Sequence, residues 1–337
     1  AVFGGRITGR GSLSVDTLAA HSLTLTVEGI RLERLWTLVY GERSPYRGLL
    51  DGTFETEGVL LDPASLSGTA RLSLHDITFR SRPLAGFEAG ATYRDSLLTV
   101  ELKQNDASFN ALLKIDGASL TGTFGLTSSQ VGELAGFARL YDLAGFLDVT
   151  GAIGGTMKEP VVDAAFKGKA IRFHGFPVDS IKGGVTYENG RAVLSECSFA
   201  GALVSVDSLT APFRIDGLSG SLSYEGTLSG DVLDPSGELH FSAEKPSFGG
   251  YRCDSIEASL AFAGKSIEIV RAALIKDSLA MTVSGGYSIP DAAGNLSFAF
   301  NRPDGTEDVS AAFENGTAVP GGNSGNIHCV FDLKKRD

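Results

Sequence analysis

Several residues that often carry function are scarce in this chain. Of 337 residues, 2 are Met, 1 is Trp and 3 are Cys. Cys197, Cys253 and Cys329 sit 56 and 76 residues apart without a CxxC pair. An odd count makes no disulfide framework; the readings are one bridge with a thiol left over or, the one favoured, three scattered buried thiols. Cations are short too: 29 Lys and Arg stand against 40 Asp and Glu, a net charge of −11. Neutralising phosphates needs Lys and Arg gathered on one face. The one basic run, Lys334-Lys335-Arg336, lies at the very end and reads as a solvated tail, so no nucleic-acid partner is expected. No apolar run approaches the ~20 residues of a membrane helix. There is no initiator Met and no signal-peptide pattern, so the chain reads as either cytosolic or a piece of something longer. The piece is favoured, because the chain begins in mid-pattern.

Chemistry-bearing motifs are also missing. His21, His75, His174, His240 and His328 are far apart, with no HxH, HExxH or Cys/His spacing, so no metal and no cofactor are expected. No GxSxG occurs, and no Lys followed by Ser or Thr comes after the glycines as in a phosphate loop. Asp148 and Asp163 could be offered as paired acids but read as strand-face charges. No enzyme is expected.

What the chain has is Gly, 43 residues of it, within a composition 42% hydrophobic and 20% charged. Short apolar runs separated by tight turns suit many strands. One formula occurs three times: Gly, any residue, Leu, seven residues, Gly, three residues, Asp or Glu, then Pro. Gly48, Gly58 and Pro63 define the first copy. Gly145, Gly155 and Pro160 define the second, and Gly220, Gly230 and Pro235 the third. Asp179-Ser180-Ile181 and Asp254-Ser255-Ile256 keep the second and third copies in register downstream, where Val185 matches Leu260 and Tyr187 matches Phe262. Such self-similarity marks a repeat architecture. The glycines are expected to bracket a strand, with the second allowing positive φ, and Pro to stand where pairing must stop.

Between the formulas, turn signals recur about every ten residues, the rhythm of an antiparallel meander. Leu98, Val100 and Leu102 alternate with Thr99, Glu101 and Lys103. Phe109, Leu113 and Ile115 repeat the pattern, as do Ile267 and Ile269, then Leu279, Met281 and Val283, then Leu296, Phe298 and Phe300. One face is apolar and the other wet. Two short amphipathic helices are expected: Leu32, Leu35, Trp36 and Val39 make one helical stripe, and Val131, Leu134, Phe137, Leu140 and Tyr141 another. The organisation reads as a partial preceding unit with a helix (1–47), three repeats (48–144, 145–219 and 220–300) and a loop-rich C-terminal segment (301–337).

Eighteen strands about 4.8 Å apart would make a sheet about 85 Å across. Its apolar face either folds over as a sandwich or curls into a trough holding something greasy. The ordered set of repeat formula, "DSI…Y…G" hairpin and preceding helix resembles the AsmA-like envelope proteins, TamB and its relatives in particular, over about residues 30–300. The resemblance implies a mainly β fold, an elongated antiparallel repeating β-groove or β-taco. It also implies a non-enzymatic role: conducting phospholipid between inner and outer membrane in support of outer-membrane biogenesis. The periplasm is the implied location, with an inner-membrane anchor outside this chain. Phospholipid acyl chains are the implied partner, with an outer-membrane assembly-type barrel protein as a second. Candidate groove residues are then Leu98, Val100, Leu102, Phe109, Leu113, Ile115, Val185, Tyr187, Ile267, Ile269, Leu279, Met281, Val283, Leu296, Phe298 and Phe300. The competing readings are a secreted or surface β-repeat adhesin and, third, a hydrolase on a β scaffold.

Overall fold

A computed structural model describes residues 3–14, 20–59, 65–79, 82–129, 131, 143–173, 176–203, 218–232, 234–248, 251–288, 293–302, 305–314 and 317–321. The fold is mainly β and antiparallel. Two compact units divide it: residues 1–174 with 185–191, and residues 175–184 with 192–337.

In the first unit the strands follow one another as a meander. They are β1 (Arg6–Leu13), β2 (Ala20–Arg31), β3 (Tyr46–Val59), β4 (Ser67–Phe79), the two-residue β5 (Arg82–Pro83), β6 (Phe87–Arg94), β7 (Leu97–Gln104), β8 (Ala107–Asp116), β9 (Ser119–Ser128), β10 (Leu143–Gly155) and β11 (Pro160–Phe173). Each pairs with its sequence neighbour, except that β4 pairs with both β5 and β6. β12 (Phe176–Glu188) is divided between the units. The second unit continues with β13 (Arg191–Leu203), β14 (Leu218–Asp231), β15 (Asp234–Phe248), the short β16 (Tyr251–Arg252), β17 (Ser255–Ala263), β18 (Ser266–Lys276), β19 (Leu279–Ser288), β20 (Ala293–Arg302), β21 (Gly305–Glu314) and β22 (Thr317–Gly321). The segment expected to be loop-rich therefore carries β21 and β22, because Val309, Ala311 and Phe313 keep the two-residue alternation and pair with β20.

The repeat formula has a backbone cause that differs from punctuation. Its first glycine lies inside a strand, where one residue faces two on the next strand. Gly48 faces Asp76 and Ile77, Gly145 faces Ala170 and Ile171, and Gly220 faces Lys245 and Pro246. The first bulge residue has positive φ each time: 53° at Asp76, 48° at Ala170 and 48° at Lys245. A Cβ on Gly145 would lie 2.8 Å from the Cα of Ile171, and one on Gly220 2.9 Å from the Cα of Pro246. In the second and third copies only glycine lets the bulge press that close, while at Gly48 the space is wider, 3.4 Å to the Cα of Ile77. The strands accordingly start two residues before this glycine, at Tyr46, Leu143 and Leu218, rather than at it.

The second glycine does take positive φ, 134° at Gly58, 85° at Gly155 and 90° at Gly230. The prolines do not end pairing as expected. Pro160 opposes Gly155, and Pro235 opposes Gly230, each at the start of a strand, where a missing N–H costs no ladder bond. Pro63 lies outside the described residues.

The first expected helix is present as α1 (Leu32–Tyr40). Gly41 ends it with φ 71°, its N–H donating to Thr37 O at 2.9 Å. Leu32, Leu35 and Trp36 of the apolar stripe are half-buried while Arg34, Thr37 and Leu38 face solvent. The Val39 side chain lies outside the described residues. α1 packs on β2 and β3, with the Trp36 ring 5.7 Å from Tyr46 and Tyr46 4.9 Å from Phe79. Beside them Ile30, Ile77 and Phe79 are each 1% exposed. Of the second expected helix only Val131 is described: it is helical and buried, and Leu134, Phe137, Leu140 and Tyr141 lie outside the described residues. Cys197 is buried, and burial pushes its thiol pKa up. Cys253 is only partly buried, against expectation, because it sits at the short β16 turn rather than within a ladder.

Candidate functional site: a one-sided apolar sheet

Strand pairing converts the alternation within each strand into rows across strands. In the first unit one row reads Ile7, Val27, Gly52, Leu72, Ala89, Leu102, Phe109, Leu126, Val149 and Phe166 from β1 to β11. The next reads Gly9, Leu25, Phe54, Ala70, Ala91, Val100, Ala111, Phe124, Gly151 and Ala164. The third includes Leu23, Tyr93, Leu98, Leu113, Ile153 and Val162. Ile115 faces Leu120 one row further on.

The second unit is built alike. Gly201, Tyr224, Phe241, Ala258, Ala272, Val283 and Phe298 form one row. Phe199, Gly226, Leu239, Leu260, Ile269, Gly285 and Leu296 form another. Ile267 stands between Phe262 and Tyr287, and Met281 between Leu274 and Phe300. Leu279 follows at the strand end, opposite Lys276. The side chain of Phe300 lies outside the described residues. Val185 and Tyr187 are on β12, half-buried and exposed respectively.

Apolar rows of this length need relief, and glycine supplies it. A Cβ on Gly151 would come within 2.5 Å of the Phe124 ring, one on Gly226 within 2.6 Å of the Phe199 ring, and one on Gly122 within 2.7 Å of Leu113 Cδ2. Large side chains therefore lie flat across the neighbouring glycine instead of standing up from the sheet. Sequence reasoning missed these glycines, and also Phe54, Leu72, Phe124, Phe199, Leu239 and Phe241. The signal was available: the same two-residue alternation runs through their strands.

Burial decides what kind of face this is. Leu98, Val100, Leu102, Phe109, Leu113, Ile115, Ile269, Met281, Leu296 and Phe298 are half-buried, Val283 is buried, and Leu279 is 48% exposed. A sandwich core would bury nearly all of them, since each would meet a facing layer. Ten strands about 4.8 Å apart with rows about 7 Å apart make an apolar area on the order of 600 Å² in the first unit. That is at the upper end of the patches soluble monomers expose.

The polar groups on this face are few. Gln104 and Ser128 flank the small Ala107, and Gln104 Nε2 donates to Ala85 O at 2.8 Å. Gln104 Oε1 and Ser128 Oγ are buried without a partner. Tyr224 is 3% exposed, its ring 4.8 Å from Phe176 and its hydroxyl unpartnered. Burial, with the nearby Asp179 carboxylate, pushes its pKa up to about 12.

The opposite face is polar. Asp148 stands opposite Lys167, and Asp163 accepts from Thr186 Oγ1 at 2.7 Å, so both acids serve as strand-face charges. Two concavities of about 600 and 660 Å³, one in each unit, are lined mostly by residues of that polar side, Arg71 and Glu101 in one and Glu225, His240 and Arg271 in the other. Among the described residues no group of three or more His, Cys, Asp or Glu could hold a metal ion, and no helix is long and apolar enough to cross a membrane.

Fold and face together define a class: an antiparallel repeat sheet, apolar on one side and wet on the other. Comparison with protein-family models, curated proteins and solved structures finds no match for the chain.

Proposed function

We propose that the chain is a non-enzymatic lipid carrier of the AsmA-like, TamB type, which holds phospholipid acyl chains against its apolar rows and passes them along the repeat. The observation that carries this reading is the set of apolar rows, most of whose large side chains stay half-buried without a facing layer. Acyl chains are matched to such a surface: they are long, unbranched and without polar atoms, and each buried CH2 contributes about 0.8 kcal/mol. Flattening of large side chains onto glycine keeps the surface smooth for a sliding chain. The resemblance carries the periplasmic setting, the inner-to-outer-membrane route and the outer-membrane barrel partner.

The test is organic extraction of protein purified without detergent, with mass spectrometry of the extract. Phospholipid at several molecules per chain is the expected result. A lipid-free, monodisperse protein would overturn the reading and leave the surface β-repeat, adhesin-type role in its place.

A further inference from the structure

A small hydrogen-bond cluster joins three neighbouring strands where two of them leave regular pairing. On β2 the register slips between Val27 and Ile30, with Gly29 at φ 59°. On β4 it slips at Asp76, φ 53°. Between the two, Asp51 on β3 accepts the Gly29 N–H through Oδ1 at 2.6 Å and meets His75 Nε2 through Oδ2 at 2.5 Å. The other ring nitrogen, His75 Nδ1, lies 3.2 Å from Asp76 Oδ2. An ionised carboxylate only accepts, and a neutral imidazole has one N–H to give. Both ring contacts are satisfied together only by the imidazolium.

We propose that His75 is a proton-operated clasp: held as a cation between Asp51 and Asp76, it fixes the two strand irregularities that seat α1 on the sheet, and losing its proton loosens that seat. The residues that follow the pinned positions Gly29 and Asp76 are Ile30 and Ile77, buried beside the Trp36–Tyr46–Phe79 ring cluster. α1 starts three residues after Gly29.

Asp51 and Asp76 touch the ring; the other charged residues on the neighbouring parts of these elements are Glu28 and Arg31 on β2, Arg47 on β3, Arg71 on β4, Glu88 on β6, and Glu33 and Arg34 on α1. The two carboxylates in contact with the ring decide its preference. The clasp belongs to the first repeat alone. The equivalent positions hold Asp148 and Lys169 in the second copy and Ser223 and Glu244 in the third. Neither pair contains an imidazole, so a histidine held between two carboxylates does not recur.

The ionisation follows the geometry. The hydrogen bond to Asp51, then that to Asp76, raises the His75 pKa above the usual 6.5. The Gly29 N–H, then His75, lowers that of Asp51 below 3.8. A raised histidine stabilises fully below its unfolded pKa, and the contribution is lost as pH rises through the folded value. A lowered carboxyl stabilises above its unfolded pKa and loses this as pH falls through the folded value. The clasp is therefore closed from mildly acidic pH up to the raised His75 pKa and opens above it.

Trp36 is the only tryptophan, so its emission reports the seat of α1. We expect a red shift as pH rises from about 5 to about 8, with a midpoint above the ordinary imidazole value. In His75→Gln the emission should stay at its high-pH position throughout. A flat wild-type profile, or a transition that persists in His75→Gln, would overturn the proposal. If His75→Gln fails to fold, Asp76→Asn decides: removing one carboxylate should lower the midpoint, and an unchanged midpoint would reject the clasp.

Discussion

The corner beside α1 and the middle of the apolar rows are made from the same residues on the same kind of sheet, yet they differ in cover. Ile30, Ile77 and Phe79 are 1% exposed beside α1. Leu98, Val100 and Leu102, three strands further on, are half-buried. β strands thus supply apolar surface everywhere, and a helix turns a small part of it into core. Elsewhere most large side chains of the rows stay half-buried, and only a few, such as Ile171, Leu203 and Val283, are buried.

The sharpest way to break this comparison is to cut a large side chain from each region. Phe79→Ala should cost about 3–5 kcal/mol, as for a fully buried aromatic, and chemical denaturation would measure it. A loss as small as that of a surface change would mean that α1 does not make a core. Gly151→Val comes next: its Cβ would meet both the Asp163 carbonyl and the Phe124 ring at 2.5 Å. We expect a loss of about 1–3 kcal/mol from such overpacking, with Phe124 forced off its glycine.

Leu113→Asp and Met281→Asp probe the open rows. Each should change stability by only about 1 kcal/mol, as for a site without a facing layer, while phospholipid recovered by extraction falls. Unfolding of both variants would show instead that the rows are closed core. The smallest expected effect is of opposite sign. Tyr224→Phe removes a buried hydroxyl without a partner and should stabilise by up to about 1 kcal/mol, read as a rise in Tm. The same tyrosine makes a pH prediction. Its raised pKa means that its contribution is complete below the ordinary value of 10.0 and lost as pH climbs towards about 12. Wild-type stability should therefore fall over that range more steeply than that of Tyr224→Phe.

Much of this was legible in the chain. Alternation such as Leu98-Thr99-Val100-Glu101 states which side chains share a face, because successive residues of a strand point opposite ways. The stripe of Leu32, Leu35 and Trp36, followed by Gly41, states a helix and its end. The bulges were not legible: Asp76, Ala170 and Lys245 share no side-chain chemistry, and their common φ comes from the strand pairing around them. The His75 clasp was hidden for a related reason. Asp76 is its neighbour in the chain, but Asp51 lies 24 residues away and is brought in by strand register, and a search for metal or catalytic spacing discards a histidine whose partners are two carboxylates.

The sequence by itself determined the strands, their two faces and the threefold recurrence of the Gly–Leu–Gly–Pro formula, since these depend on local alternation and on residues with special backbone freedom. Tertiary structure alone decided that the faces align into continuous rows, that a glycine lies under each flattened ring, that the formula's first glycine faces a bulge, and that α1 covers one corner and leaves the rows half-open. Those outcomes depend on which strand lies beside which and in what register. Register is settled by the pairing of whole strands, and no single stretch of the chain records it.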